Sequence, residues 1–272
     1  MGATGNAGGG VINGLLELDA DVRGLVRPGS EGELPDGVEA APADLNDLES
    51  LRGPLDGVSA VFLLSGYEGI DRSLELMREK GVERVALLSS SAAPTGDLEN
   101  AVARYHILSE RAVSESGLPW TFLRPNSFMS NAYRWLPQLE EGNVIHGPFG
   151  EVAISTIDPD DLGAVAARAL TTDEHEGQTY RLSGPEALRP AEQVAILAKY
   201  AGRDLSFEAQ SNEEARADME GQMPKEYVDA FFNFFVDGAI DETTVHPTVE
   251  QVTGREPRSF EQWAERHADA FR

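Results

Sequence analysis

A tyrosine–histidine pair and a run of serines are the residues of this chain best suited to proton transfer. Tyr105 and His106 lie side by side in a segment with helical periodicity, and Ser89, Ser90 and Ser91 follow a buried, strand-like run. An unperturbed imidazole has a pKa near 6.5 and can donate or accept a proton at neutral pH. A tyrosine with a lysine four residues later would form a hydride-transfer pair, but position 109 is serine. His106, Ser89 and Tyr105 are therefore the candidate catalytic residues, and a histidine exposed on a helix surface is the alternative.

A glycine repeat at the start of the chain predicts a second kind of chemistry. Glycines at positions 2, 5 and 8 precede a helical pattern over residues 9–18. Glycine lets the backbone turn tightly and approach a pyrophosphate, and a helix N-terminus offers free N–H groups and a positive dipole end. The spacing predicts a dinucleotide site, with a flexible glycine-rich leader as the alternative.

The strand that normally precedes such a repeat has no counterpart in this sequence, where only Met1 stands before Gly2. We expect the middle strand of the sheet to be missing. Either the native start lies upstream, which we favour, or the strand is a stub.

The residue that ends the next strand bears on the choice of nucleotide. An acidic residue there binds the ribose 2′-OH of NAD, whereas an arginine accepts the 2′-phosphate of NADP. Arg27 ends the strand-like run over residues 22–27, Asp21 lies at its start, and no carboxylate follows before Glu31. We expect NADP (NADPH) as the cofactor, with NAD as the alternative; an ordinary solvated arginine is the simpler interpretation of Arg27.

The elements that position these residues alternate between strand and helix. Short apolar runs predict buried strands over 58–64, 85–88 and 120–123, with amphipathic helices between them. Asp44 is the expected N-cap of a short helix before the first of these strands. This order predicts an α/β fold with a Rossmann-like, doubly wound parallel sheet covered on both faces.

The second half of the chain has a different pattern. We expect two short strands flanking residues 146–150, a strand–helix unit over 154–170 and a strand over 179–183. Four helices are then predicted, at 190–201, 212–220, 225–236 and 259–270. The predicted organisation is a dinucleotide-binding domain over residues 1–125 and a small, mainly helical substrate lobe over 126–272 that is interleaved with the sheet.

Composition limits the partners. The chain has 272 residues, no cysteine and a formal net charge of -25, so its surface should repel nucleic acid. No apolar run is long enough for a membrane span and no histidine spacing suits a metal, so we expect neither a membrane nor a metal site. We expect a cytoplasmic protein, with a homodimer left open.

Longer segments of the sequence resemble the NmrA-like branch of the atypical short-chain dehydrogenase/reductase superfamily. Residues 116–131, SGLPWTFLRPNSFMSN, are similar to a segment of that family, and so are residues 157–163, IDPDDLG. LSGP at 182–185 and VTGREP at 252–257 also fit, so the resemblance covers nearly the whole chain.

The resemblance implies an NAD(P)-binding Rossmann domain and assigns residues to it. Arg27 would meet the 2′-phosphate, Asp44 and Leu45 the adenine, and Leu64 and Ser65 the nicotinamide-side ribose. His106 falls where related reductases carry an active-site lysine. The expected cofactor-binding set is Gly2, Thr4, Gly5, Asn6, Ala7, Gly8, Arg27, Asp44, Leu45, Leu64, Ser65, Ser90, Pro125 and Asn126. The expected substrate-binding set is Ser91, Phe128, Met129, Trp135, His146, Phe149 and Phe231.

The resemblance leaves the reaction open. Members of the family include reductases of quinones, dyes and isoflavonoid-type compounds, silent redox sensors that bind regulators, and oxygenases of aromatic polyketide pathways. We expect an NAD(P)H-dependent oxidoreductase that transfers hydride to an apolar conjugated carbonyl, quinone or polycyclic aromatic. An NADP-sensing regulator with a protein partner and a tailoring oxygenase of aromatic polyketide biosynthesis are the alternatives.

Overall fold

A parallel β-sheet forms the centre of the computed structural model, which describes residues 1–272. The strands are β1 (Val22–Val26), β2 (Val38–Pro42), β3 (Ala60–Leu64), β4 (Arg84–Leu88), β5 (Trp120–Pro125), β6 (Val144–Gly147), β7 (Gln178–Leu182) and β8 (Ser206–Ala209). β3, β4, β5 and β7 are hydrogen-bonded in that order, β1 pairs with β2, and β6 pairs with β8. All of these pairs are parallel. The predicted doubly wound α/β architecture is confirmed.

Helices cover both faces of this sheet and build most of the second half. They are α1 (Asn6–Leu16), α2 (Leu48–Leu51), α3 (Ile70–Glu79), α4 (Ala101–Glu115), α5 (Leu136–Glu141), α6 (Pro159–Thr171), α7 (Pro190–Ala201), α8 (Asn212–Glu220), α9 (Lys225–Phe235), α10 (Thr248–Thr253) and α11 (Phe260–His267). Short 3₁₀ segments span Glu31–Glu33, Ala93–Thr95, Met129–Trp135 and Ala268–Phe271. None of the helices has the length and apolar character needed to cross a bilayer.

Alternation along the central strands separates two cores. Val61 and Leu63 of β3 point to the face covered by α3. Phe62 of β3, Ala86 of β4 and Leu123 of β5 point to the opposite face, covered by α1 and α6. Successive side chains of a strand alternate in this way, and each large one buried contributes about 1.5–3 kcal/mol.

Some predicted local features differ from the structure. The second strand expected after residue 150 is absent, because Ile154 forms only an isolated bridge with Leu188 and β6 pairs instead with the distant β8. Asp44 does not cap α2, since the Asp47 carboxylate accepts the N–H of Glu49 there. The four long helices of the second half are confirmed, and β7 and α6 from that half belong to the central layers.

A gap separates β1 from β3. The first residues of the chain enter it from the carboxyl edge: the Met1 ammonium donates to the carbonyl of Phe62 at 2.8 Å, and the Ala3 N–H donates to the carbonyl of Leu25 at 3.2 Å. The rest of the gap is a cavity of about 650 Å³ between β1, β3 and α1. Met1 and Ala3 thus connect β3 and β1 at their carboxyl ends.

The helices α1 and α6 touch through glycine. A Cβ at Gly10 would stand 2.1 Å from the carbonyl oxygen of Pro159, and one at Gly163 would stand 2.0 Å from that of Gly10. Any side chain at either position would push the helices apart. The Asn13 amide also donates to the Asp160 carboxylate at 3.1 Å, so the two helices are fixed to each other near the first turn of α6.

The C-terminal segment is anchored to that same turn. Arg258 donates to the buried Asp161 carboxylate through its guanidinium and its backbone N–H, both at 2.6 Å. Arg266 pairs with Asp160 at 2.9 Å and also contacts the buried Asp158. Buried carboxylates need such partners, because removing one partner leaves an uncompensated charge. The end of the chain therefore holds the beginning of α6.

Candidate active site

The glycine repeat forms a tight loop before α1. Gly2 has φ +64, and a Cβ on Gly8 would stand 2.0 Å from the carbonyl oxygen of Gly2. Gly5 is the N-cap residue of α1, and no side chain caps the helix there. The N–H groups of Asn6, Ala7 and Gly8 have no backbone partner. Free N–H groups at a helix N-terminus bind phosphate, and the bare loop admits its close approach. The loop fits a dinucleotide pyrophosphate, with Thr4 exposed at its rim.

The ends of β1 and β2 present the predicted nucleotide-selecting residues together. Arg27 is exposed and forms neither an ion pair nor a side-chain hydrogen bond. The nearby Glu31 carboxylate accepts the N–H of Gly29, so it is occupied within its own loop. Asp44, exposed, and Leu45, half-buried, follow β2 at the same edge. A free cation at this edge suits a 2′-phosphate.

The turn after β3 lies under the aromatic ring of Tyr105. The Ser65 hydroxyl donates to the carbonyl of Leu88 at 2.7 Å, and the Gly66 N–H donates to the Ser109 hydroxyl at 3.1 Å. A Cβ on Gly66, which has φ +84, would stand 2.8 Å from the Tyr105 ring. Helix α4 is thus docked directly on the carboxyl edge of the sheet, beside Leu64.

His106 packs against Tyr105, with the ring centroids 4.2 Å apart. Burial lowers the pKa of His106 to about 3 and raises the pKa of Tyr105. The Nδ1 atom of His106 is buried and has no hydrogen-bond partner. The expectation of a histidine that titrates near pH 6.5 is therefore wrong, because burial disfavours the imidazolium. The ring is neutral at pH 7 and can act only through an N–H donor or a lone pair.

A buried carboxylate joins α4, β4 and β5. Arg124 binds Glu110 in a bidentate pair, with Nε to Oε1 at 2.8 Å and Nη2 to Oε2 at 2.6 Å. The Ser89 hydroxyl donates to the same carboxylate at 2.6 Å. Ser89 is buried and its donor is used, so the structure places it as a support for α4 and gives it no open hydroxyl for substrate. This corrects its expected catalytic contact.

A second buried carboxylate, Glu242, lies between the next pair of strand ends. The hydroxyl of Ser91 donates to it at 2.5 Å and that of Ser127 at 2.8 Å. The buried Asn126 amide donates to the backbone carbonyl of Glu242 at 3.2 Å. Burial raises the pKa of Glu242. Ser91 is therefore engaged inside the protein and does not face a substrate, which corrects that expectation.

Two further cofactor candidates are held at this edge by backbone structure. The Ser90 hydroxyl accepts the N–H of Ala92 at 3.1 Å. Pro125 ends β5 opposite Leu182 of β7. Both stay at the carboxyl edge, and their contact with a cofactor remains a prediction.

The residues predicted to bind substrate are not all in one place. Met129 and Trp135 are buried in the core of the second half, where Trp135 packs against Phe207. His146 is exposed on β6, with its Nδ1 3.6 Å from the Glu208 carboxylate. The structure thus places these three side chains apart from the aromatic cluster of α9, and their contact with a substrate stays a prediction.

The other predicted aromatics gather beside α9. The centroid of Phe149 lies 5.3 Å from that of Phe232 and 5.2 Å from that of Phe235, and Phe231 stacks on Phe235 at 6.4 Å. Phe128 and Phe235 line the same small cavity of about 60 Å³. Polar residues that were not predicted from the sequence also line this cavity: Asn131, Arg134, Thr156 and Gln193.

The site residues that the sequence analysis did not identify differ in whether the sequence indicates their role. Glu110 lies on the buried face of α4, between Ala103 and Val113, and Arg124 ends an apolar strand. A carboxylate on the apolar face of a helix and an arginine at the end of an apolar strand indicate an ion pair, so this pair could be predicted from the sequence. Glu242 lies in an irregular segment and Arg134 in a short 3₁₀ segment, and neither pattern gives such a signal. No group of three or more His, Asp or Glu side chains is arranged to hold a metal ion.

The sheet and the bare glycine loop together define a dinucleotide-binding α/β protein. The family model described as NAD(P)H-binding matches residues 2–173, and the chain belongs to that family, within the NmrA-like, atypical short-chain dehydrogenase/reductase group. NAD(P)H is its cofactor.

Curated relatives match over almost their full lengths. The chain is 36% identical to the (4-alkanoyl-5-oxo-2,5-dihydrofuran-3-yl)methyl phosphate reductase of Streptomyces griseus, over 99% of this chain and 97% of the relative. It is 33% identical to the NAD(P)H azoreductase of Xenophilus azovorans, over 100% and 98%. The chain is thus an NAD(P)H-dependent reductase.

A solved structure supports the fold. The NADPH complex of the Escherichia coli NADPH-dependent quinone oxidoreductase superposes with a TM-score of 0.78, at 23% identity and over 98% of each chain.

Proposed function

We propose that this reductase uses NADPH to reduce an apolar conjugated carbonyl, such as a quinone or an acyl-substituted unsaturated lactone. The neutral His106 ring carries the proposal, because it lies against Tyr105 on the turn after β3 and keeps an unpartnered buried nitrogen. The name of the Streptomyces relative, which specifies a ring with conjugated carbonyls, supports this substrate class.

Each part of the carboxyl edge has a role in this proposal. When bound, NADPH supplies the hydride. The loop over residues 2–8 would hold its pyrophosphate, and Arg27 would bind its 2′-phosphate. His106 would donate a hydrogen bond to the substrate oxygen as negative charge develops on it. The bidentate pair of Glu110 and Arg124 would hold α4 in place for that contact. A neutral donor suffices, since quinone-like acceptors need little acid catalysis.

The experiment follows NADPH absorbance with menadione and with an acyl-substituted butenolide. His106→Asn should lower kcat by about 10²-fold, the typical effect of losing one donor to a developing oxyanion. Affinity for NADPH should stay nearly unchanged. Turnover of the parent should be flat from pH 5 to pH 8 as far as this residue is concerned, because its pKa of about 3 lies below that range.

His175→Asn is the matched control, because His175 pairs with Tyr180 before the amino end of β7, away from the site. It should leave turnover unchanged. Absence of NADPH oxidation with every carbonyl tested would overturn the proposed reaction. Full activity of His106→Asn would remove His106 from it and leave hydride transfer to cofactor positioning alone.

A further inference from the structure

We propose that the small cavity beside α9 binds an anionic group of the substrate, a phosphate ester or a carboxylate, through Arg134. This inference rests on the proposed function and names the substrate class more closely: a conjugated carbonyl compound that carries an oxyanion substituent. The cavity, of about 60 Å³, is bounded by the segment after β5, by the start of α7 and by Phe235 of α9.

Arg134 is a cation without a partner. It forms no ion pair and no hydrogen bond, although the chain has 47 acidic residues against 22 lysines and arginines. Its guanidinium makes a cation–π contact with the ring of Trp135, whose centroid lies 5.7 Å from the guanidinium carbon. Solvent reaches the side chain, yet the surrounding protein lowers the pKa of Arg134 through desolvation. A guanidinium in a concave, partly desolvated place attracts an anion more strongly than one on open surface.

The cavity holds further polar groups and no acid. Asn131, Thr156 and Gln193 line it beside Arg134, and their side chains form no hydrogen bond within the protein. None of its lining residues is Asp or Glu. Amides and a hydroxyl can donate to anionic oxygens, and the missing carboxylate leaves the charge of Arg134 uncompensated. These groups together suit an oxyanion and not a cation.

The opposite wall is apolar and leads towards the candidate active site. Phe128, Ile154 and Phe235 line it, and Phe128 follows β5 at the carboxyl edge of the sheet. The volume is several times that of a single water site, so it fits a head group and excludes a whole ring system. A substrate could therefore place its anionic end here while its conjugated part extends along the aromatic cluster of α9.

The geometry of arginine explains why phosphate and carboxylate are the two candidates. Its planar fork of N–H donors binds both groups in bidentate fashion. An inorganic anion or an anionic effector offers the same chemistry without being substrate, and the experiment separates these cases.

The test compares kcat/KM for three acyl-substituted butenolides that differ in one substituent: hydroxymethyl, carboxylate and phosphate ester. In Arg134→Gln, kcat/KM for the charged compounds should fall about 10- to 100-fold, the usual effect of losing a charge-assisted hydrogen bond. The value for the hydroxymethyl compound should change less than about threefold. Arg134→Lys keeps the charge and should recover part of the loss.

Arg111→Gln is the matched control, because Arg111 is an exposed arginine on α4 that also forms no ion pair. It should leave all three values unchanged. Binding of phenyl phosphate and benzoate to the NADPH complex, measured by calorimetry, gives a readout without turnover and should weaken in Arg134→Gln alone.

The outcomes separate clearly. A selective loss with either charged compound supports the proposal, and the larger loss identifies phosphate or carboxylate. An equal change for charged and neutral compounds overturns it, and so does an unchanged preference in Arg134→Gln. Weakened binding of both probes with unchanged kcat/KM would show an effector site and overturn the substrate assignment. If none of the compounds is reduced by the parent protein, the proposed function fails first.

Discussion

Two junctions between neighbouring parallel strands are built in opposite ways. At the carboxyl edge of β4 and β5, the buried Glu110 carboxylate accepts from Ser89 and forms a bidentate pair with Arg124. Between β1 and β3, only the two backbone bonds of Met1 and Ala3 and a cavity of about 650 Å³ occupy the place of a strand. The first junction is closed by side chains from three elements, and the second is nearly unfilled.

The difference divides the nucleotide site into a firm half and a weak half. In the proposed binding mode the nicotinamide side lies next to α4, which the Glu110 network holds to the strands. The adenosine side would depend on Arg27 and Asp44, which follow β1 and β2. These strands are joined to β3 through Met1 and Ala3, through apolar packing and through the bonds of Arg23 to the segment before β3. We therefore expect the poor packing at the gap to limit the free energy of unfolding. The rate of hydride transfer should depend less on this gap.

Removing the carboxylate at the firm junction should have the largest effect. Glu110→Ala leaves the half-buried guanidinium of Arg124 without its partner. Breaking a fully buried pair costs about 3–5 kcal/mol of unfolding free energy, so we expect a loss of about 3 kcal/mol. Urea unfolding followed by circular dichroism measures it. Ser89→Ala, which removes one neutral donor, should cost only about 1 kcal/mol. Similar losses for both variants would mean that the ion pair contributes little.

Filling the gap should raise stability. An extension of four or five alternating Val and Ile residues before Met1 would run between β1 and β3. Each buried side chain contributes about 1.5–3 kcal/mol and ordering each residue costs about 1–2 kcal/mol, so we expect a net gain of about 2–4 kcal/mol. Thermal unfolding measures the gain, and a Gly-Ser extension of equal length is the control. Equal melting temperatures for both extensions would show that the gap does not accept a strand.

The smallest expected effect concerns the adenosine side of the nucleotide site. Arg27→Ala should reduce the affinity for NADPH about 10- to 100-fold and leave the affinity for NADH unchanged, because only the former carries the 2′-phosphate. Fluorescence titration with both nucleotides measures this, with NADH as the internal control. An unchanged ratio of the two affinities would remove Arg27 from cofactor selection.

The sequence could predict what depends on local periodicity. The glycine loop, the parallel order of β3, β4 and β5 and the long helices follow from spacing and apolar pattern, and all are present. β2 escaped prediction because Val38–Pro42 contains few β-branched or aromatic residues. β8 escaped because its partner β6 lies some 60 residues away.

The surroundings of the candidate site residues depend on contacts with residues that are distant in the sequence. The hydroxyls of Ser89 and Ser91 look free in the sequence, yet they meet Glu110 and Glu242, which lie 21 and 151 residues further along the chain. The pKa of His106 depends on burial beneath neighbouring elements, which a helical pattern cannot reveal. Tertiary packing decides both.

The glycine contact between α1 and α6 connects the tail of the protein to its phosphate loop. Arg258 and Arg266 hold the first turn of α6, and that turn lies against Gly10, one helical turn after the loop itself. Replacing both arginines with glutamine would leave the buried Asp161 and Asp158 carboxylates without their partners and let this turn move. Such a variant should lose its nucleotide before it loses its fold, so bound-cofactor fluorescence is a more sensitive check of its integrity than circular dichroism.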